Sequence, residues 1–349
     1  MAERGTIVPG RAFTDDRGRT AQLHGIGLQR VGDRWLAWGE DKSAGDRFTA
    51  VACYSSGDLA HWRYEGDALT RADGDIGPDR VVERPKVLQR PDGRWVMLLH
   101  VDGPVDGEQG DYAYARVGFA IADRPEGPYT YVRSERPLGN LSRDIGVYQE
   151  DGVGYLLSED RDNGLHIYRL REDHLGVEAV VATLRQQANP AIGYESPTLV
   201  RHEGRYYLFG SDLTGWSMND NMYTSAPALE GPWDPWRPIA PPGTRTFESQ
   251  VSVVAPVGDG YVYIGDRWDP SRLAESPAVW LPLRIRAGRV ELEWRDRWSI
   301  EELGAQPVRS SSEERSDETK RAGRGVDAGA ERFVSLRSLN ERDAEELGA

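Results

Sequence analysis

Five polar residues recur at comparable places along the chain. His24, Glu83, Asp144, Glu195 and Gln250 lie 59, 61, 51 and 55 residues apart. Each heads an apolar run that stops at a turn such as Asp92-Gly93 or Asp259-Gly260 and resumes in a second run rich in Trp and Tyr. Three of the five are carboxylic acids. Carboxyls gathered in one cavity can divide acid and base work, because burial and like charge raise the pKa of one until it keeps its proton near neutral pH. Cleavage of a glycosidic bond needs such an acid for the leaving oxygen and a second group that delivers water or attacks the sugar. In Tyr194-Glu195-Ser196-Pro197-Thr198, the proline favours extended backbone ahead of it, which sets Glu195 at the head of a strand. A structural reading stands beside the catalytic one: Glu83, Asp144 and Glu195 would instead form ion pairs with Arg84, Arg143 and Arg267.

The elements that must position these residues follow from the spacing. A repeat of roughly 40–60 residues, each unit opening with a hairpin, is the pattern of a β-propeller rather than a sandwich. Five units predict an all-β, five-bladed propeller over residues 1–304. The innermost strands would line a central channel, with the active site at one of its ends. Between the hairpins, stretches such as Asp123–Tyr129 and Ala226–Trp233 combine a Gly-Pro turn with an aromatic anchor and look architectural. Residues 305–349, with Ser310-Ser311-Ser312-Glu313-Glu314, lack apolar periodicity and predict a mostly disordered polar tail, with room for a short helix over 340–347.

Composition narrows the partners. A net charge of −14 over 349 residues disfavours nucleic acid and anionic membrane. Eleven Trp and fifteen Tyr against six Phe supply flat faces with a polar edge, suited to sugars or simply to filling a core. Cys53 is the only cysteine, so an internal disulfide is impossible, and its apolar surroundings predict a buried thiol. The N-terminus has no apolar signal core and no run of eighteen apolar residues occurs; a cytoplasmic location is expected unless a leader has been removed. The six His have no zinc-like spacing and no loop resembles an EF-hand, so no metal is assigned.

An ordered series of motifs carries a resemblance. His24-Gly25-x-Gly27, Trp38-Gly39-Glu40, Glu83-Arg84-Pro85-Lys86-Val87, Ser142-Arg143-Asp144, Ser158-Glu159-Asp160, Glu195-x-Pro197, Thr214-Gly215-Trp216, Thr246-Phe247-x-Ser249-Gln250 and Gly265-Asp266-Arg267-Trp268 together resemble glycoside hydrolase family 43, and most closely its exo-β-1,3-galactanase branch. The resemblance implies an inverting, exo-acting hydrolase that releases terminal β-galactose. Glu195 would be the general acid, Glu83 the residue that tunes and orients it, and Gln250 the water-activating group, since the first-blade Asp used by most of the family is replaced here by His24-Gly25. Glu40, Tyr112, Asp144, Asn163 and Thr214 would bind sugar hydroxyls and Trp216 would stack on a sugar face. His24 and Arg267 would complete the substrate site, although Asp266 and Arg267 equally suit a structural pair beneath the channel. Ile26, Ser196 and Glu248 depart from the family pattern. No cofactor is required, and a structural calcium or sodium ion in the channel is compatible with the family. Other family 43 specificities (α-L-arabinofuranosidase, β-xylosidase or galactofuranosidase) and a glycan-binding propeller without catalysis are the rival readings.

Overall fold

The computed structural model of the protein describes residues 5–107, 110 and 112–306. The tail expected beyond 304, with its short helix, lies outside the described residues except for 305 and 306, of which Ala305 is buried. The described chain forms five four-stranded antiparallel sheets, each a meander of consecutive strands. They occupy residues 24–70, 81–135, 145–184, 195–238 and 250–292, blades one to five. The innermost strands His24–Val31, Val81–Gln89, Ile145–Glu150, Glu195–His202 and Gln250–Val257 adjoin one another in a ring that closes between blades five and one.

Both faces of the middle strands are apolar, and the propeller is the reason. In Trp95–Asp102, the side chains of Trp95, Met97, Leu99 and Val101 enter a core shared with blade one. Val96 and Leu98, pointing the other way, enter a core shared with blade three. A strand buried on both sides reads as a continuous apolar run instead of an alternating one. Five such seams hold the ring, and the seam between blades one and five also takes in Ile7, Trp298, Ile300 and Leu303. There Ile7 and Trp298 exchange backbone hydrogen bonds of 2.8 and 3.1 Å, fastening the first described strand-like segment to the last. Cys53 is buried in the seam between blades one and two, as its surroundings predict.

The inner strands start irregularly, and the irregularity aims their side chains. Ladder register breaks directly after His24, Glu83 and Glu195, and the next residues, Gly25, Arg84 and Ser196, have φ of 55°, 51° and 53°. A bulge of this kind inserts a residue and turns the preceding side chain towards the axis. In blade one only glycine suits the position, because a Cβ on Gly25 would stand 1.8 Å from Glu40 Oε1. Gly25→Ala is therefore expected to destabilise the protein by more than about 1 kcal/mol. Urea unfolding measures this, and an unchanged midpoint would show that Glu40 can move aside.

Candidate active site

At the end of the channel where the inner strands begin, Glu83, Asp144, Glu195 and Gln250 converge on a pocket of about 230 Å³. Antiparallel pairing brings a second ring of residues against the first. Glu40 lies opposite His24, His100 opposite Glu83, Ser211 opposite Glu195 and Asp266 opposite Gln250. In blade three the backbone N–H of Glu159 donates to the carbonyl of Asp144 at 2.9 Å. The second strand of every blade thus ends beside the residue that opens the first.

Arg84, 4% exposed, ties the rings together. Its guanidinium reaches Asp144 at 3.0 Å, Asp266 at 3.6 Å and Gln250 Oε1 at 2.6 Å, and its backbone N–H donates to Glu40 Oε1 at 2.8 Å. Asp266 nonetheless remains raised to about 6, because its burial outweighs the nearby guanidinium. Lys42 lies between Glu40 and Glu83, at 2.9 and 3.2 Å. Burial alone would raise the Glu83 carboxyl, but Lys42 and His100 hold it well below the usual carboxylate range. His100 is itself raised to about 10: burial opposes its charge, and the hydrogen bonds to Asp102 and Glu83 override that. Glu83 is thus an ionised group in a cationic setting.

Glu195 is the opposite case. It is 7% exposed, and burial, reinforced by the charges of Asp144 and Glu159, raises its carboxyl well above the ordinary value. Gln250 Nε2 donates to Glu195 Oε1 at 2.9 Å and to Ser211 Oγ at 3.0 Å. Gln250 Oε1 accepts from Arg84 and, at 2.9 Å, from Trp268 Nε1. Both protons and both lone pairs of this amide are engaged. Ahead of Gln250 the backbone makes a left-handed turn through four non-glycine residues, Arg245 to Glu248, with φ between 50° and 59°. Asp220 accepts from the N–H groups of Gly243 and Arg245, Thr246 Oγ1 accepts from the Asn221 N–H, and Arg267 donates to the carbonyl of Phe247.

The pocket brings together Glu40, Glu83, Tyr112, Asp144, Glu195, Trp216 and Gln250 of the residues singled out from the sequence. The remaining four stand outside its lining. His24 is buried behind Trp268, its ring 5.9 Å away. Asn163 and Thr214 are exposed and bonded within their own loops, to Asp160 and Ser217. The Arg267 guanidinium is drawn to Phe247 and to the face of Trp294. Ion pairing with Arg84 holds for Asp144, whereas the Arg143 guanidinium is bonded to the Tyr112 carbonyl. Of the departures, Ser196 Oγ donates to the Val251 carbonyl and Glu248 pairs with Arg245 at the surface. Sequence reasoning assigned no chemistry to Lys42, His100, Glu159, Arg161 or Trp268. Counting across the hairpin turn from Asp144 would have found Glu159, whereas the bulge after Glu83 displaces His100 by one residue from the same count.

A channel cation would draw on Glu83, His100 and Asp144, whose potential ligand atoms lie within 4.8 Å of one another. These residues do not fit one. Lys42 and Arg84 already pair with the two carboxylates and His100 Nε2 is engaged by Asp102, whereas calcium needs six to eight oxygen ligands.

The pocket's chemistry can be set beside known proteins. The model of the glycosyl hydrolases of family 43 matches residues 30–254. The chain is 44% identical to a candidate exo-beta-1,3-galactanase from Bifidobacterium bifidum, over 83% of this chain and 97% of that one, with a TM-score of 0.78. It is 39% identical to an exo-beta-1,3-galactanase from Phanerochaete chrysosporium solved with beta-1,3-galactotriose, over 87% and 71% of the two chains, with a TM-score of 0.80. A Clostridium thermocellum exo-beta-1,3-galactanase is 32% identical over 84% and 66%, with a TM-score of 0.76. No curated protein matches the sequence.

Proposed function

We propose, because the chain belongs to glycosyl hydrolase family 43, that it is an exo-acting, inverting enzyme releasing terminal β-galactose from β-1,3-linked galacto-oligosaccharides or galactan. The observation that carries this reading is the buried Glu195 carboxyl, raised so that it keeps a proton, in a pocket of about 230 Å³. That volume lies below the range of drug-sized ligand sites and suits one sugar ring at a chain end. Trp216 and Trp268, edge to face at 5.6 Å, offer apolar faces to the sugar's C–H groups. The galactanase relatives supply the sugar and the linkage.

In this reading Glu195 passes its proton to the glycosidic oxygen as the bond to the anomeric carbon breaks, the electron pair going to that oxygen. Water adds its hydroxyl to the opposite face, its second proton leaves to the group that activates it, and solvent restores the proton on Glu195. Gln250 orients Glu195 directly. It can activate water only if Arg84 or Trp268 releases Oε1 when the sugar enters, because both lone pairs are otherwise taken. Glu83, kept ionised by Lys42 and His100, is suited to binding hydroxyls, while the charges beside the acid belong to Asp144 and Glu159.

Hydrolysis of β-1,3-galactotriose, which at first frees galactose from the non-reducing end alone, followed by proton NMR tests the proposal, with α-galactose expected as the first monosaccharide. Appearance of the β anomer first would overturn inversion. Release of arabinose, xylose or galactofuranose from a panel of glycosides, with galactotriose left intact, would move the chain to another specificity. Binding of galactan without cleavage would make it a glycan-binding propeller.

A further inference from the structure

Glu159 stands in the second strand of blade three, Val153–Asp160, at 1% exposure. Among the described residues, neither of its carboxylate oxygens has a hydrogen-bond partner. Its Oε1 lies 3.5 Å from Nε of Arg161, and Nη2 of the same guanidinium lies 3.5 Å from Oε2 of Glu195. The two carboxyls are nearly sealed from solvent, at 1% and 9% side-chain exposure, while the Arg161 side chain is 48% exposed. One half-solvated cation therefore stands between two buried acids, at distances that make ion pairs with both.

The other charged groups around this trio are already engaged. Glu195 also faces Asp144 and Arg84, and Glu159 faces Asp144, Arg143 and His100. Arg84 is bonded to Asp144, Asp266 and Gln250. Arg143 donates to the Tyr112 carbonyl, and His100 is held by Asp102 and Glu83. A single guanidinium offsets one negative charge, which leaves the second carboxyl uncompensated and favours its holding a proton.

We propose that Glu159 and Arg161 are positioning residues for the acid: Arg161 pairs with the Glu159 carboxylate while Glu195 holds the proton, and swings its charge to Glu195 once that proton has gone to the leaving oxygen. The inference rests on the reading of Glu195 as the general acid. No bond to either residue forms or breaks. The proton moves from Glu195 to the glycosidic oxygen, and Arg161 follows the negative charge left behind. Burial pushes the Glu159 carboxyl up to about 7, so it can take a proton from solvent when Arg161 leaves it. Glu83, engaged with Lys42 and His100, does not neighbour Glu195 in this way.

The two residues act on Glu195 with opposite sign, which gives the test its direction. An enzyme needing a protonated acid loses kcat/KM as pH rises through that acid's pKa. Glu159→Gln removes a negative charge that holds the Glu195 proton, so the falling limb is expected about one pH unit lower. Arg161→Gln removes a positive charge that favours the carboxylate, so the limb is expected to move to higher pH by a similar amount. The half-exposed Arg161 tolerates substitution, which preserves the test if Glu159→Gln folds poorly. Profiles on β-1,3-galactobiose that match wild type in both variants, or limbs that shift in the same direction, would overturn the proposal. Glu195→Gln separates the two assignments. Full turnover with an unchanged falling limb in that variant removes the acid and this inference together. Loss of turnover there, with unmoved limbs in the other two, removes only the role of Glu159 and Arg161.

Discussion

Glu195→Gln is expected to lower galactose release by about two to four orders of magnitude, the usual contribution of a positioned general acid, while the propeller folds as before. The amide keeps the size of the carboxyl and can still accept from Gln250 Nε2, but it has no proton to give. Stability should change in a pH-dependent way that also tests the pKa. The folded carboxyl is raised above its unfolded value, so it favours the folded state most at low pH, and that contribution is lost as pH rises through the raised pKa. Relative to wild type, the variant should gain in Tm as pH is raised from about 4.5, the ordinary value, into the alkaline range. Turnover within a few-fold of wild type would remove Glu195 from the chemistry.

Arg84→Met has the largest expected effect on stability. Arg84 is a buried cation whose guanidinium serves Asp144, Asp266 and Gln250 together. Removing one partner of a buried ion pair destabilises by about 3–5 kcal/mol, because the remaining charge is left without compensation. Asp266, already raised to about 6 by burial, can relieve that by taking up a proton, so the loss should be smaller at acid pH than at alkaline pH. Urea unfolding across that range measures both the size and the slope. Turnover should fall as well, since Gln250 loses one of the two donors that fix its oxygen. A loss below about 1 kcal/mol, the scale of a surface pair, would mean that water takes over the work of the guanidinium.

The five blades were legible because a propeller writes the same hairpin five times, with a polar residue where each inner strand enters the channel. Apolar runs such as Trp95 to Leu99 marked the second strands without ambiguity, both faces being covered. From the repeat alone the pocket was legible only along its inner ring, and Glu40, Tyr112 and Trp216 were reached through the family resemblance. Lys42, His100 and Glu159 sit on or just after second strands, inside or beside apolar runs where a single charged residue carries no spacing signal. Their meaning comes from hairpin register, which depends on turn length and on bulges such as the one after Glu83. Asn163, Thr214 and Arg267 show the converse. Each lies in a motif close to a pocket residue, but Asn163 and Thr214 are held by partners within their own loops and Arg267 is drawn away by Phe247 and Trp294. Sequence adjacency to Trp216 or Trp268 could not foretell that.

The left-handed turn before Gln250 bears on how this protein can change over generations. Left-handed backbone at a residue with a side chain costs roughly 1–2 kcal/mol, and here it runs through four residues in succession. Glycine or asparagine would relieve part of that cost, yet Arg245, Thr246, Phe247 and Glu248 occupy the turn. Drift towards a sturdier chain would remove the Thr246 hydroxyl that accepts from the Asn221 N–H, and with it part of what aims Gln250. This short turn is where heritable gains in robustness and the preservation of the pocket pull against each other.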